Sequence, residues 1–166
     1  ELSRSALFFN YILLILIISV STYLLAPKFF NEKKRVTYIE KILIKNYNIN
    51  IKRYSQINYK IFPTPRISIK DLHLELDKKL VYGDVENLEL ILNPIKMYNY
   101  DYLKLKKIFI INSDLSTKTN SLENTLIYVK NLRRKILFKN TSLALTKKNN
   151  EVIKIKLVNF KNNEKN

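Results

Sequence analysis

The residues of this chain that could carry acid–base, nucleophilic or metal chemistry are few and poorly spaced for it. His73 is the only histidine and cysteine is absent. Thiolate nucleophiles, disulfides and Cys- or His-built metal sites therefore have no raw material. Gly83 is the only glycine, which excludes a glycine-rich phosphate loop. Asp71, Glu75 and Asp77 lie near His73, but the alternating pattern there reads as a strand with solvated polar side chains. An enzyme would need a Ser or Thr nucleophile with His73 as its only imidazole base, and no spacing supports that. The sequence predicts no enzyme, no catalytic residue, no cofactor and no metal.

What recurs instead is aliphatic. Ile67 and Ile69 share one parity, Leu72, Leu74 and Leu76 the other, and Leu88, Leu90 and Leu92 alternate again. Alternation of this kind gives a sheet one apolar face. The chemistry open to such a face is apolar contact, in a closed core or in a groove that takes acyl chains. These eight residues are the candidate site, and in an open groove they would be incompletely buried.

The elements that must position this face begin with an almost uncharged run, Ala6 to Ala26. As a helix its 21 residues reach roughly 30 Å, the hydrocarbon thickness of a bilayer. A buried core helix is rarely apolar on all sides over this length. A cleavable signal would have a shorter apolar stretch, about 7–15 residues, and a small-x-small cleavage site. Tyr23-Leu24-Leu25-Ala26-Pro27 offers none, so an uncleaved single-pass anchor over 6–26 is predicted. Residues 27–35 read as a juxtamembrane linker, 36–160 as one β domain, and 161–166 as a polar tail. The start at Glu1 and that polar end read as a piece of a longer protein.

Charge is the other strong feature. Thirty Lys and Arg against 14 Asp and Glu give a formal net charge of +16. A basic chain attracts anionic membrane surfaces or nucleic acid. Here lysine is scattered, and its abundance with Asn, Ile and Tyr matches the codon bias of an AT-rich genome. No element concentrates charge among stacking aromatics, so no nucleic-acid partner is expected.

Val36, Ile39, Ile42, Leu43 and Tyr47 recur at helical spacing. They predict a short amphipathic helix that caps the sheet in preference to lying on the membrane. Beyond Asn48 the period becomes two, with strands near Ile49–Ile51, Ile57–Ile61, Ile67–Leu76, Leu88–Leu92 and Leu103–Ile110. A hairpin is predicted with arms at Leu143–Leu145 and Ile153–Leu157. A phase slip at Lys70-Asp71 reads as a β-bulge, and Asp77-Lys78-Lys79 as a turn. Ser113–Glu123 reads only as polar, Ile95–Tyr102 as a turn of helix, and Leu122–Lys135 stays ambiguous between helix and strand. The fold class is thus a single N-terminal transmembrane helix followed by a mainly antiparallel, curved, groove-like β domain with one short amphipathic helix.

The segment Ile61-Phe62-Pro63-Thr64-Pro65-Arg66-Ile67-Ser68-Ile69-Lys70-Asp71-Leu72-His73-Leu74 resembles the start of the AsmA family. The order of anchor, amphipathic helix, strand and Phe-Pro-x-Pro turn is similar over roughly residues 6–112. One departure is Asn46-Tyr47-Asn48, where family members often carry a Gly turn; Asn tolerates the same left-handed helix end. The resemblance implies a bridge-like lipid-transfer protein, similar to chorein-type transporters, whose apolar groove carries phospholipid acyl chains. It implies a bacterial inner-membrane anchor, a periplasmic domain, and a part in phospholipid transport to the outer membrane and in outer-membrane integrity. Lys28, Lys33, Lys34 and Arg35 follow the anchor and only Arg4 precedes it, which by the positive-inside rule argues for the opposite orientation. The alternative function is a structural scaffold of the envelope with a closed β domain that contacts other envelope proteins.

Overall fold

The uncharged run forms one uninterrupted helix, α1 (Arg4–Leu25), in the computed structural model of the chain. The described residues are 4–25, 32–96, 104–131, 136–147 and 150–161. Within α1, Ala6–Tyr23 has a mean hydropathy of 2.0 and none of it is buried against the rest of the protein. By length and composition this helix can cross a membrane.

A second helix, α2 (Glu32–Tyr47), begins inside the stretch read as a linker. Ile39, Leu43 and Tyr47 recur every fourth residue on one face and are all buried, so α2 packs on the sheet as a cap. Asn48 ends the helix with φ 54°, and its N–H donates to the Ile44 carbonyl at 3.1 Å. That is the left-handed C-terminal cap usually given to glycine, here supplied by Asn in a glycine-poor chain.

Seven strands follow: β1 (Ile49–Arg53), β2 (Gln56–Lys60), β3 (Arg66–Leu76), β4 (Val81–Leu92), β5 (Leu105–Lys118), β6 (Ile136–Lys147) and β7 (Asn150–Lys161). They form one sheet in the order β1-β3-β4-β5-β6-β7, with β2 pairing the first half of β3 and β1 its second half. Every pairing is antiparallel except β5–β6. A parallel pair needs a crossover, and α3 (Leu122–Asn131) lies in that connection. The ambiguous stretch therefore resolves as helix as far as Asn131. The polar segment after Ser113 continues β5 to Lys118, because its register with β4 and β6 runs on unbroken. Beyond β4 a 3-10 turn covers Pro94–Lys96; the rest of the helical turn expected there, 97–102, lies outside the described residues.

The phase slip at Lys70-Asp71 belongs to a larger feature. In β3 two consecutive exposed residues, Lys70 and Asp71, separate buried Ile69 and Leu72. A two-residue spacer recurs in the neighbouring strands, with Asn87 and Ile111 half-buried in it. Glu86-Asn87 separates Val85 from Leu88, Ile111-Asn112 separates Ile110 from Ser113, and Lys139-Asn140 separates Phe138 from Thr141. The registers align Asp71, Glu86, Asn112 and Asn140 in one row across the sheet. Asp71, Asn112 and Asn140 have φ of 47°, 52° and 50°, the left-handed region that Asp and Asn tolerate better than other side chains. The register from Lys70↔Asn87 to Leu72↔Val85 gains no residue on either strand. The predicted bulge is thus a crease shared by four strands, which keeps the apolar residues before and after it on the same face.

Candidate functional site: the apolar face of the sheet

All eight predicted site residues lie on this face. Ile67, Ile69, Leu72, Leu74 and Leu76 come from β3, and Leu88, Leu90 and Leu92 from β4. Each is between 0 and 3 % exposed. They are joined in one core by Ile39, Leu43 and Tyr47 of α2, Ile49 of β1, Ile108 and Ile110 of β5, and Ile136 and Phe138 of β6. Burying an aliphatic side chain of this kind contributes about 1.5–3 kcal/mol. The incomplete burial expected of an open groove is not found at these eight positions. The face is closed there because α2 lies over it and because Ile57 and Tyr59 of β2 and Ile51 of β1 pack against the same cluster.

Toward β7 the same face opens. Direct cross-strand registers connect Leu115 to Leu143 and Leu143 to Ile155, and likewise Thr117 to Leu145 and Leu145 to Ile153. Residues opposite one another share a face. Leu115 is buried, Leu143 and Leu145 are half-buried, and Ile155 and Ile153 are 50 % and 53 % exposed. Helix α3 stands at the boundary. Its Thr125 hydroxyl meets that of Thr117 at 2.8 Å, while Asn124, Ile127 and Tyr128 line a cleft with Lys45, Asn46 and Tyr47 of α2. At about 100° per residue, Leu126 sits on the flank opposite Asn124, and it is 62 % exposed. An apolar shelf made by Leu143, Leu145, Ile153 and Ile155 thus adjoins the closed core. Its aliphatic alternation was legible as hairpin arms; its exposure depends on where α2 and α3 end.

No protein-family model, curated protein or solved structure matches the chain.

The opposite face is polar along the crease. Asn140 Nδ2 donates to Asn112 Oδ1 at 3.3 Å, and Asn112 Nδ2 donates to Glu86 Oε2 at 2.7 Å. At one end of the row Ser55 Oγ lies 2.8 Å from Asp71 Oδ2. Beside it the hydrogen bond from His73 and the Arg53 guanidinium hold the Asp84 carboxyl below the usual carboxylate range. The Ser142 hydroxyl and then Lys154 do the same for Asp114. These partners are structural neighbours across strands, and His73 is spent on Asp84. Among the described residues no group of three or more His, Asp or Glu is placed to hold a metal. In the α2–α3 cleft the Tyr128 hydroxyl is buried without a hydrogen-bond partner, and burial pushes its pKa up.

Proposed function

We propose that this chain is a membrane-anchored protein that takes phospholipid acyl chains on the open β6–β7 shelf, in an AsmA-like role in envelope lipid transport. The observation that carries the reading is the continuity of one apolar sheet face from a closed core into an exposed shelf at an edge strand. An apolar surface beside protein-covered core gives acyl chains a dry wall on one side, and the lysines alternating with it on β7, Lys154 and Lys156, keep the reverse side wet. Helix α1 supports a membrane origin for the lipid. On this reading the partners are phospholipid acyl chains and the inner membrane of a Gram-negative cell. The domain is periplasmic and the protein serves phospholipid movement to, and integrity of, the outer membrane. The eight β3–β4 residues then act as the wall that closes the groove, while the shelf carries the lipid.

A second reading has its own support. Complete burial of those eight residues favours a closed β domain, hence an envelope scaffold that contacts other envelope proteins and carries no lipid.

The two readings separate on one preparation of the full chain. Ile155→Asp should leave the thermal transition nearly unchanged and reduce co-purified phospholipid, because its side chain is half in solvent. A scaffold would show the same lipid content in wild type and variant. The orientation is tested by alkaline phosphatase fused after Asn166: activity supports the periplasmic domain, and inactivity with a fluorescent cytosolic reporter supports the positive-inside direction.

A further inference from the structure

Among the described residues, the two most exposed large apolar side chains outside α1 lie at one end of the sheet. Phe62, in the β2–β3 connection, is 85 % exposed, and Ile95, in the β4–β5 connection, is 83 % exposed. Both exceed every large apolar residue of α1 whose side chain is described. Strand pairing makes them neighbours, since Lys60 pairs with Arg66 and Arg66 with Ile91, and the Leu92 N–H donates to the Pro65 carbonyl at 2.9 Å. The two tips are held in place. Arg66 Nη2 donates to the Phe62 carbonyl at 3.2 Å while Nη1 of the same guanidinium pairs with Glu89 at 3.8 Å. The Ile95 N–H donates to Asn93 Oδ1 at 3.0 Å. A solvated protein gains nothing by fixing two large apolar side chains outward.

The same end is tied to the membrane helix. Tyr23, near the C-terminal end of α1, donates its hydroxyl to the Pro94 carbonyl at 2.9 Å, one residue before Ile95. Tyrosine at the end of a spanning helix sits at headgroup level, its ring apolar and its hydroxyl wet. Exposed lysines surround the tips: Lys60 at the end of β2, and Lys104, Lys106 and Lys107 at the start of β5. Lysines with apolar tips between them match an anionic lipid surface.

We propose that this end of the sheet is seated on the bilayer, with Phe62 and Ile95 inserted at the interface and the lysines on anionic headgroups. The proposal rests on α1 being a membrane anchor and is independent of what the β6–β7 shelf carries. It gives the domain two further points of attachment beside α1. Contacts at these tips beside α1 restrict the tilt of the sheet on the membrane. Lipid leaving the bilayer beside α1 would then meet this end of the sheet first.

The chain has no tryptophan, so single replacements report depth without background. The full chain is reconstituted in vesicles of phosphatidylcholine and phosphatidylglycerol bearing brominated acyl chains. Four variants are compared: Phe62→Trp, Ile95→Trp, Ile15→Trp within α1, and Lys118→Trp at the far end of β5, roughly 45 Å along the strand. Trp at 62 and 95 should emit at shorter wavelength than Trp at 118 and lose much of its intensity to the bromolipid, while 118 stays unquenched. Quenching at 15 with none at 62 and 95 overturns the proposal and leaves the anchor intact; no quenching at 15 overturns both. Omitting phosphatidylglycerol should weaken quenching at 62 and 95 alone, and equal quenching would overturn the role given to the lysines.

Discussion

A Cβ placed on Gly83 would lie 2.0 Å from the backbone oxygen of Asp114. The chain keeps its one glycine where β4 and β5 approach too closely for any side chain, in the register Gly83↔Leu115. The contact is backbone to backbone, so no flexible side chain can move aside. Gly83→Ala should cost at least the usual 1–3 kcal/mol of overpacking. At about 2–4 °C per kcal/mol for a domain of this size, that is a clear fall in the thermal transition. An unchanged transition followed by circular dichroism would show that the strands separate freely here.

The crease depends on left-handed residues rather than on extra ones. Asn112 has φ 52° and bridges Glu86 and Asn140. Asn112→Gly keeps the backbone free to adopt that angle and should lose only the two side-chain bonds. Asn112→Val adds a β-branched clash worth about 1–2 kcal/mol more. Chemical denaturation of both variants checks the order, and Val equal to or better than Gly would contradict a strained crease.

How much of this was visible in the sequence depends on how far apart the causes lie. The slip at Lys70-Asp71 was visible because apolar parity changes within a few residues of one strand. Its partner rows at Glu86, Asn112 and Asn140 were not, because they gain meaning only from registers that bring distant strands side by side. The second half of β5 was hidden by its composition, Ser113-Asp114-Leu115-Ser116-Thr117-Lys118. Ser113 and Thr117 are buried there but satisfied by Thr141, Thr125 and the Leu80 carbonyl, so polar residues occupy core positions. The eight candidate residues were legible as one face. That the face is closed over them and open at Ile153 and Ile155 depends on where α2 and α3 come to rest, which no local pattern states.

Tyr128 offers a stabilising change. Its hydroxyl is buried without a partner between α2 and α3, and an unsatisfied buried polar group costs about 1–3 kcal/mol. Tyr128→Phe removes the hydroxyl and keeps the ring, and should raise the denaturation midpoint. A lower midpoint would mean the hydroxyl has a solvent partner in the cleft.

Acid should weaken the sheet through Asp84 and Asp114. Both carboxyls lie below their ordinary value of 3.8 in the folded chain, so the folded state releases their protons more readily than the unfolded state. Their contribution is complete above that ordinary value and is lost as pH falls through it toward the folded pKa values. Both side chains are largely exposed, so the effect is small and salt-screened. Asp84→Asn should flatten part of the acid limb of a stability–pH curve at low salt, and an unaltered limb would remove His73 and Arg53 as its cause.

Whether acyl chains lie on the β6–β7 shelf and not among the β3–β4 leucines can be read out by photolabelling. The full chain is reconstituted with a phospholipid bearing a photoreactive group at the acyl terminus, irradiated and digested, and the labelled peptides are mapped by mass spectrometry. Label is predicted on α1 and on the peptides carrying Leu143, Leu145, Ile153 and Ile155, with the β7 label lost in Ile155→Asp and none on Leu88–Leu92. Label confined to α1 would mean that no acyl chain reaches the shelf and would leave a closed, membrane-tethered β domain.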